Sequence, residues 1–473
     1  MRDFTGVRPA LLLVALRTLV PQNKAASWPC RGCGGGVYLS ESNSMHITSS
    51  RLLGNYASFS GGAAFVRHSA NLSITASAIN DNLANIYGAG IYCQENSSVD
   101  IGGRTQLERN KALNSGAALT ASGSAKVIAS QTTWLLNAAT SGGAAYMYEY
   151  SQLAMHNNTL QHNSASESGG AISSQKFVRI VVSATTFSSN TAIDGAALSL
   201  KDNASAVLDG GVQLLGNVAA KSGGGVAAEG NTQVTLRDVL ILNNSASSGG
   251  GISLRQSATA SLTNSTIEAD GAQRSGGGVY AALQSSLLIS NGTRISHNVA
   301  KGTGGGVACT DQCRLRVSPA AGHGTARDMV LASWIDHNTA RGVLGGGVLA
   351  ESPNIDVREL VAASHGNNAS YGADLHAGVT RIELLSESAA AGCVSRLGVE
   401  EGVLRVALRV VGHQGTPSEG ALVQAVLSGN QFLAANRSDR AGNVTLNLKA
   451  MKAPGHYSLS FVRLRPSACP QPA

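Results

Sequence analysis

One short motif returns along the chain at an almost constant interval, and that interval limits the possible folds more than any other feature. It is a pair of small residues, a third small residue and, in most copies, an aliphatic one. Its third position falls at Gly36, Ala63, Gly90, Ala117, Ala144, Ala171, Ala196, Gly225, Gly251, Gly278, Gly306, Gly347 and Ala373. Neighbouring copies lie 25 to 29 residues apart, most often 27, except for one gap of 41 between Gly306 and Gly347. Self-similarity at such a period is the mark of a solenoid, in which each repeat buries its apolar face only against its neighbours. A chain merely rich in glycine, with 56 of them, has no reason to keep that interval.

A second motif precedes the first in each repeat: a hydrophobic residue, two of any kind, then Asn. Leu52…Asn55, Ile79…Asn82, Trp134…Asn137, Leu160…Asn163, Phe187…Asn190, Leu214…Asn217, Ile295…Asn298 and Ile335…Asn338 show it, and in Ile267…Asp270 an Asp takes the Asn place. Between the motifs run stretches of period-two alternation, such as Asn71-Leu72-Ser73-Ile74 and Gln233-Val234-Thr235-Leu236, which signal strands with one buried face. The expected fold is therefore all-β: a right-handed parallel β-helix of about 13 coils over residues 30–378, with three short strands per coil. At strand spacing, such a rod is on the order of 60 Å long. Glycine at a corner tolerates backbone angles that a Cβ resists. An Asn at the same corner of every coil both donates and accepts, so it can stack into a ladder. The expected members are Asn55, Asn82, Asn110, Asn137, Asn163, Asn190, Asn217, Asn244, Asn298 and Asn338.

Composition narrows the function classes. Aromatic residues are 4% and charged residues 13%, so small and β-branched side chains must build the core. The net charge is +7, but the basic residues are scattered rather than gathered on one run, which argues against nucleic acid as a partner. No apolar run reaches the ~18 residues of a membrane-spanning helix. Residues 1–27 have the look of a secretory leader, with Arg2 and Arg8 ahead of an apolar run over 10–16, or else of a fragment's start. Seven cysteines at irregular spacing are no small disulfide framework. The close pairs Cys30/Cys33 and Cys309/Cys313 lack the further ligands of a zinc site, so local disulfides or free thiols are the expectation.

The alternating small-residue and hydrophobic-x-x-Asn motifs resemble those of chlamydial polymorphic outer-membrane proteins and of related large secreted β-helix proteins. The resemblance covers residues 34–376. It implies a pectin-lyase-like β-helix with an adhesive role at the cell surface; the membrane barrel that ends the bacterial proteins has no counterpart in this sequence. An insertion near 309–329 accounts for the long coil. After residue 378 the repeat stops. The strings Gly420-Ala421-Leu422-Val423-Gln424-Ala425-Val426, Asp439-Arg440-Ala441-Gly442-Asn443-Val444 and Pro454-Gly455-His456-Tyr457 are similar to bacterial immunoglobulin-like modules, which implies a small β-sandwich over 394–466 closing the solenoid's end. Cys393 and Cys469 flank its strands and are a candidate disulfide.

Many β-helix proteins cleave polysaccharides, so two strings need weighing. Gly322-His323-Gly324 matches a polygalacturonase triplet but has no paired carboxylates with it. Trp334-Ile335-Asp336-His337 matches a pectate-lyase signature, yet it fills the ordinary hydrophobic-x-x-Asn slot. His297 and His337 hold equivalent places in consecutive coils and are expected to stack as a surface pair, without a third metal ligand. No catalytic residue, metal site or cofactor is expected. Asp100, Asp194, Asp238 and Asp336 occupy different slots and should point to different corners. Asn-x-Ser/Thr sequons occur at Asn71, Asn96, Asn157, Asn203, Asn243, Asn264, Asn291, Asn368, Asn436 and Asn443, acceptors for N-glycosylation in a secreted eukaryotic chain. The reading is a secreted or cell-surface protein binding a glycan or protein ligand, or serving a structural role. The alternative is a polysaccharide lyase or hydrolase on the same fold.

Overall fold

Four short strands, not three, make each coil in the computed structural model. It describes residues 11–15, 19–21, 24–25, 32–317, 333–342, 345–350, 364–369, 375–377 and 379–384. Beyond these it describes 399–400, 403–412, 422–427, 431–437, 440, 443–449 and 459–463. A representative coil runs through Asn71–Thr75, Ala78–Asn80, Leu83–Ala84 and Ile91–Cys93. Each strand pairs in parallel with its counterpart one coil away: Leu72 with Val99, Ile79 with Leu107, Ala84 with Ala112 through Lys111's strand, and Ile91 with Leu119. The counterparts add up to four parallel sheets of 12, 13, 12 and 13 strands, here sheets 1 to 4 in chain order. The expected three strands per coil are thus corrected to four. The strand that the sequence hid, Leu83–Ala84 in this coil, is two residues long and cannot display alternation.

Alternation does mark sheet 1, where Leu72 and Ile74 point inward between the exposed Asn71 and the half-buried Ser73 and Thr75. The hydrophobic-x-x-Asn slot lies on sheet 2 and fills the interior with large side chains. Trp134 and Phe187 there are fully buried, and the Trp134 indole N–H donates to Thr132 Oγ1 at 2.6 Å. These residues join one continuous core along the rod. Between sheets 2 and 3 the chain turns through a left-handed residue in coil after coil: Asp81 (φ 57°), Arg109 (φ 50°), Leu136 (φ 55°) and His162 (φ 54°). Each costs a non-glycine residue roughly 1–2 kcal/mol, so something at that corner must hold it. Between sheets 3 and 4 the small-residue motif is a steric requirement. A Cβ on Gly62 would stand 2.3 Å from the Ala89 carbonyl of the next coil.

Leu11–Ala15, Leu19–Pro21 and Lys24–Ala25, within the stretch read as a leader, pair with Ser44–Thr48, Arg51–Leu53 and Tyr56–Ala57 on sheets 1 to 3. Past the solenoid, Val403–Gly412 pairs antiparallel with Val379–Leu384, Val399–Glu400 and Asn443–Lys449. Leu422–Leu427 pairs with Gln431–Arg437 and Leu459–Arg463. The first of these sheets takes in Val379–Leu384, upstream of residue 394. Among the described residues no helix is long and apolar enough to cross a membrane.

Candidate functional site

The Asn column is a scaffold, and its bonds are nearly complete. Asn55 Nδ2 and the Asn55 backbone N–H both donate to Asn82 Oδ1, at 3.0 and 2.9 Å. Asn82 Nδ2 in turn donates to Asn110 Oδ1 at 2.9 Å and back to the Leu52 carbonyl at 3.0 Å. The pattern continues through Asn137, Asn163, Asn190, Asn217 and Asn244, and again from Asn298 to Asn338. The side chains are buried and satisfied on both ends, which offsets the strained residue before each. Asn367 extends the column, accepting from Asn338 Nδ2 at 3.0 Å. The motif missed it because Ser364 stands in the hydrophobic place.

One rung differs. Asp270 Oδ1 accepts from the Asn244 amide at 3.0 Å and from the Asn244 backbone N–H at 2.6 Å, while Oδ2 is buried with no partner among the described residues. Burial pushes the Asp270 carboxyl well above the usual carboxylate range, and the Asn244 bonds only partly offset this. A second ladder, between sheets 1 and 2, escaped the sequence reading. Ser50, Ser77 and Thr105 are linked there by backbone N–H to hydroxyl bonds of 3.0 and 3.3 Å; farther on, the Thr132 backbone N–H donates to Asn158 Oδ1 at 2.9 Å and the Asn158 backbone N–H to the Thr185 hydroxyl at 3.3 Å. Its only signal is a polar residue two places before the sheet 2 hydrophobic residue.

The chemistry-bearing strings are placed as follows. His297 and His337 stack with ring centroids 5.3 Å apart and planes 7° from parallel. Asp336 receives the Arg294 guanidinium at 2.8 and 3.2 Å and lies 3.0 Å from His337 Nδ1. Burial alone would raise the Asp336 carboxyl, but these partners hold it below its ordinary value. No group of three or more His, Cys, Asp or Glu able to hold a metal occurs among the described residues. Asp100 lies on sheet 1, Asp194 on sheet 3, Asp336 on sheet 2, and Asp238 at the corner between sheets 1 and 2. Gly322-His323-Gly324, Cys30, Cys393 and Cys469 lie outside the described residues, as do residues 318–332 of the insertion. The side chains of Asn436 and Asn443 are also outside it. Cys309 and Cys313 form a disulfide, and Cys33 is disulfide-bonded as well. Cys93 is a buried free thiol, pushed up to about 12 by desolvation and therefore unreactive. The sequons Asn71, Asn96, Asn157, Asn203, Asn243, Asn264, Asn291 and Asn368 are all exposed. All but Asn71 and Asn368 stand at left-handed corner positions.

The feature that no motif announced is a groove of about 530 Å³ where the outer faces of sheets 3 and 4 meet at a re-entrant corner. Its floor is one register column of sheet 4. Leu198 and Leu200 point into the core, so Ser199 between them faces outward; Ile252 and Leu254 do the same for Ser253. From the N-terminal end the column reads Tyr38, Phe65, Tyr92, Thr120 and Tyr146. It continues as Ser173, Ser199, Ala227, Ser253 and Tyr280. Early in the rod aromatic rings fill the corner: Tyr38 stacks on Phe65 at 5.6 Å, and Phe65 meets Tyr92 edge-on at 5.1 Å. Where the column changes to Ser199, Ala227 and Ser253 that volume is missing, and the groove opens. Tyr280, the next member of the column, lies under the Arg255 guanidinium at 5.4 Å.

The groove has unmet polar groups. Ser199 and Ser253 are each 1% exposed, and among the described residues neither hydroxyl has a hydrogen-bond partner; nor does Arg255 Nε. Buried hydroxyls are seldom left so. The walls bear Asp194, Lys201, Lys221, Glu229, Arg255 and Arg274. None of the six forms an ion pair among the described residues.

Residues 141–319 match the family model described as the right handed beta helix region, a span that contains the whole groove. No curated protein and no solved structure gives a significant match to the chain. The fold is a right-handed parallel β-helix.

Proposed function

We propose that this chain is a secreted or cell-surface binding protein, and that the groove between sheets 3 and 4 holds an extended glycan. The observation that carries the reading is the pair of buried, unpartnered hydroxyls, Ser199 and Ser253, facing one open groove. A sugar chain lying along the rod offers hydroxyls that can both donate to and accept from them, whereas an apolar ligand leaves both unsatisfied. The placement of the sequons supports the same face. The exposed ones occupy other corners and sheet surfaces, and none lines the groove. If they carry glycans, this corner stays open. Disulfides at Cys309–Cys313 and at Cys33 favour an oxidising compartment. On this reading the antiparallel strands over 394–466 are an immunoglobulin-like module that covers the solenoid's end, with Cys393–Cys469 as its tie.

The enzymatic alternative has one observation in its favour, since Asp194 and Glu229 stand on opposite walls of the groove. Nothing orients either carboxylate by a hydrogen bond or ion pair among the described residues, so binding is the better-supported function. The test is a glycan array probed with the purified chain and with Ala227→Tyr, which extends the aromatic column into the open floor. Tyrosine already fits that register at four other positions, so the fold should tolerate it. Specific binding lost in the variant is the expected result. Binding unchanged by the variant would remove the groove from the account.

A further inference from the structure

Resting on the groove reading, we infer that the ligand is a linear glycan carrying acidic groups on alternating sides of successive residues. The inference comes from how charge is distributed over four consecutive coils. In the first, Lys201 stands on the sheet 4 wall and Asp194 opposite it on sheet 3. One coil on, the signs exchange walls: Lys221 is on sheet 3 and Glu229 on sheet 4. In the third coil Arg255 is on sheet 4 and faces Ser247 and Ser248; in the fourth, Arg274 is on sheet 3. Register makes this a true alternation. Lys201, Glu229 and Arg255 are successive partners on sheet 4. Lys221 and Arg274 each precede a member of the Ser222–Ser248–Ser275 column on sheet 3.

A cation therefore appears at every coil, on one wall and then the other, with a rise of about 4.8 Å per step. An extended pyranose chain advances by close to one coil height per residue. In a two-fold chain each residue is flipped relative to the last, so a carboxylate or sulfate on each would meet each cation in turn. An extended acidic peptide fits less well, because its side chains alternate at about 3.3 Å per residue and fall out of step within a few coils. The two acids add selectivity: Asp194 and Glu229 stand where such a polymer presents its uncharged edge, and they repel one with charge on both edges. Ser199 and Ser253, two coils apart on the floor, take hydroxyls from the ring faces.

Isothermal titration with a hexamer of β-1,4-linked mannuronate tests this, with cellohexaose as the uncharged two-fold chain and oligoglutamate as an acidic peptide of equal charge. The expected result is saturable mannuronate binding that weakens as salt rises, with cellohexaose and oligoglutamate at least about tenfold weaker. Lys221→Gln with Arg274→Gln should weaken mannuronate about tenfold or more and leave cellohexaose unchanged. Equal binding of cellohexaose overturns the acidic-ligand inference while leaving the groove reading intact. Equal binding of oligoglutamate reduces the site to a general polyanion surface and overturns it too. If the folded chain binds neither sugar, both readings fall.

Discussion

Replacing Asp270 by Asn should stabilise the solenoid, by an amount that grows with pH. In the repeat, a side-chain amide at this rung donates forward to the next Asn and back to a carbonyl one coil behind, as Asn298 does to Asn338 and to the Ile267 carbonyl. Asp270 has no hydrogen there when ionised, and its Oδ2 lies buried and unpartnered, so Asn restores two bonds of about 1 kcal/mol each. The larger effect is protonic. The folded state holds this carboxyl's proton above the ordinary value of 3.8, so between that value and the raised one the native state binds more protons than the unfolded chain. Stability is then fully present below the unfolded value and is lost as pH rises, at about 1.4 kcal/mol per pH unit, until the folded value is passed. Asp270→Asn removes that loss. Guanidinium melts of parent and variant from about pH 4 to about pH 9 should give curves that diverge with pH and then run parallel. A constant gap across that range, or a less stable variant at neutral pH, would refute the protonated rung.

Asp336 has the opposite sign. Its lowered carboxyl contributes stability above the unfolded value that is lost as pH falls through the folded one, so Arg294→Gln should flatten the acid limb of the same melts. Asn163→Ala takes the shared acceptor from the Asn137 backbone N–H and side-chain amide and the side-chain donor from the Trp134 carbonyl, and should cost about 3 kcal/mol or more, read as a lower denaturation midpoint. Leu136→Gly, at an exposed left-handed corner, should stabilise by about 1 kcal/mol, and no gain would mean that the corner carries no strain. Incubated with acidic and neutral wall polysaccharides, with and without calcium, the chain should release no reducing ends or unsaturated products. Cleavage that disappears in Glu229→Gln would establish the enzymatic reading instead.

What could be read from the sequence was whatever recurs in identical form. The period located the coils, and the hydrophobic-x-x-Asn motif located the column from Asn55 to Asn338, including the odd rung at Asp270, because one residue type does one job there. The number of strands per coil was hidden, since the sheet 3 strand is only two residues long in coils such as that of Leu83–Ala84, and where it reaches five, as in Ser164–Ser168, a register irregularity breaks the alternation. The Ser50–Ser77–Thr105 ladder was hidden because several polar residue types serve equally, and so it leaves no fixed letter. The groove was hidden for a deeper reason. Its floor is the residue just after the aliphatic of the first motif, and what matters is that this position changes from Phe65 and Tyr92 to Ser199 and Ser253. Search for a repeat attends to sameness, whereas this site is a local departure from it. Its cations looked scattered along the chain because Lys201 and Lys221, on opposite walls, sit at different points in the repeat. Only parallel register brings them into one file.

The most direct test is a crystal structure of the chain with the mannuronate hexamer bound. The account predicts sugar rings lying along Ser199, Ala227 and Ser253, with ring hydroxyls bonded to both serines and carboxylates meeting Lys201, Lys221, Arg255 and Arg274 in turn. A hexamer seated elsewhere, for instance on the exposed stacked pair Tyr150 and Phe177, with the groove holding only water, would contradict it.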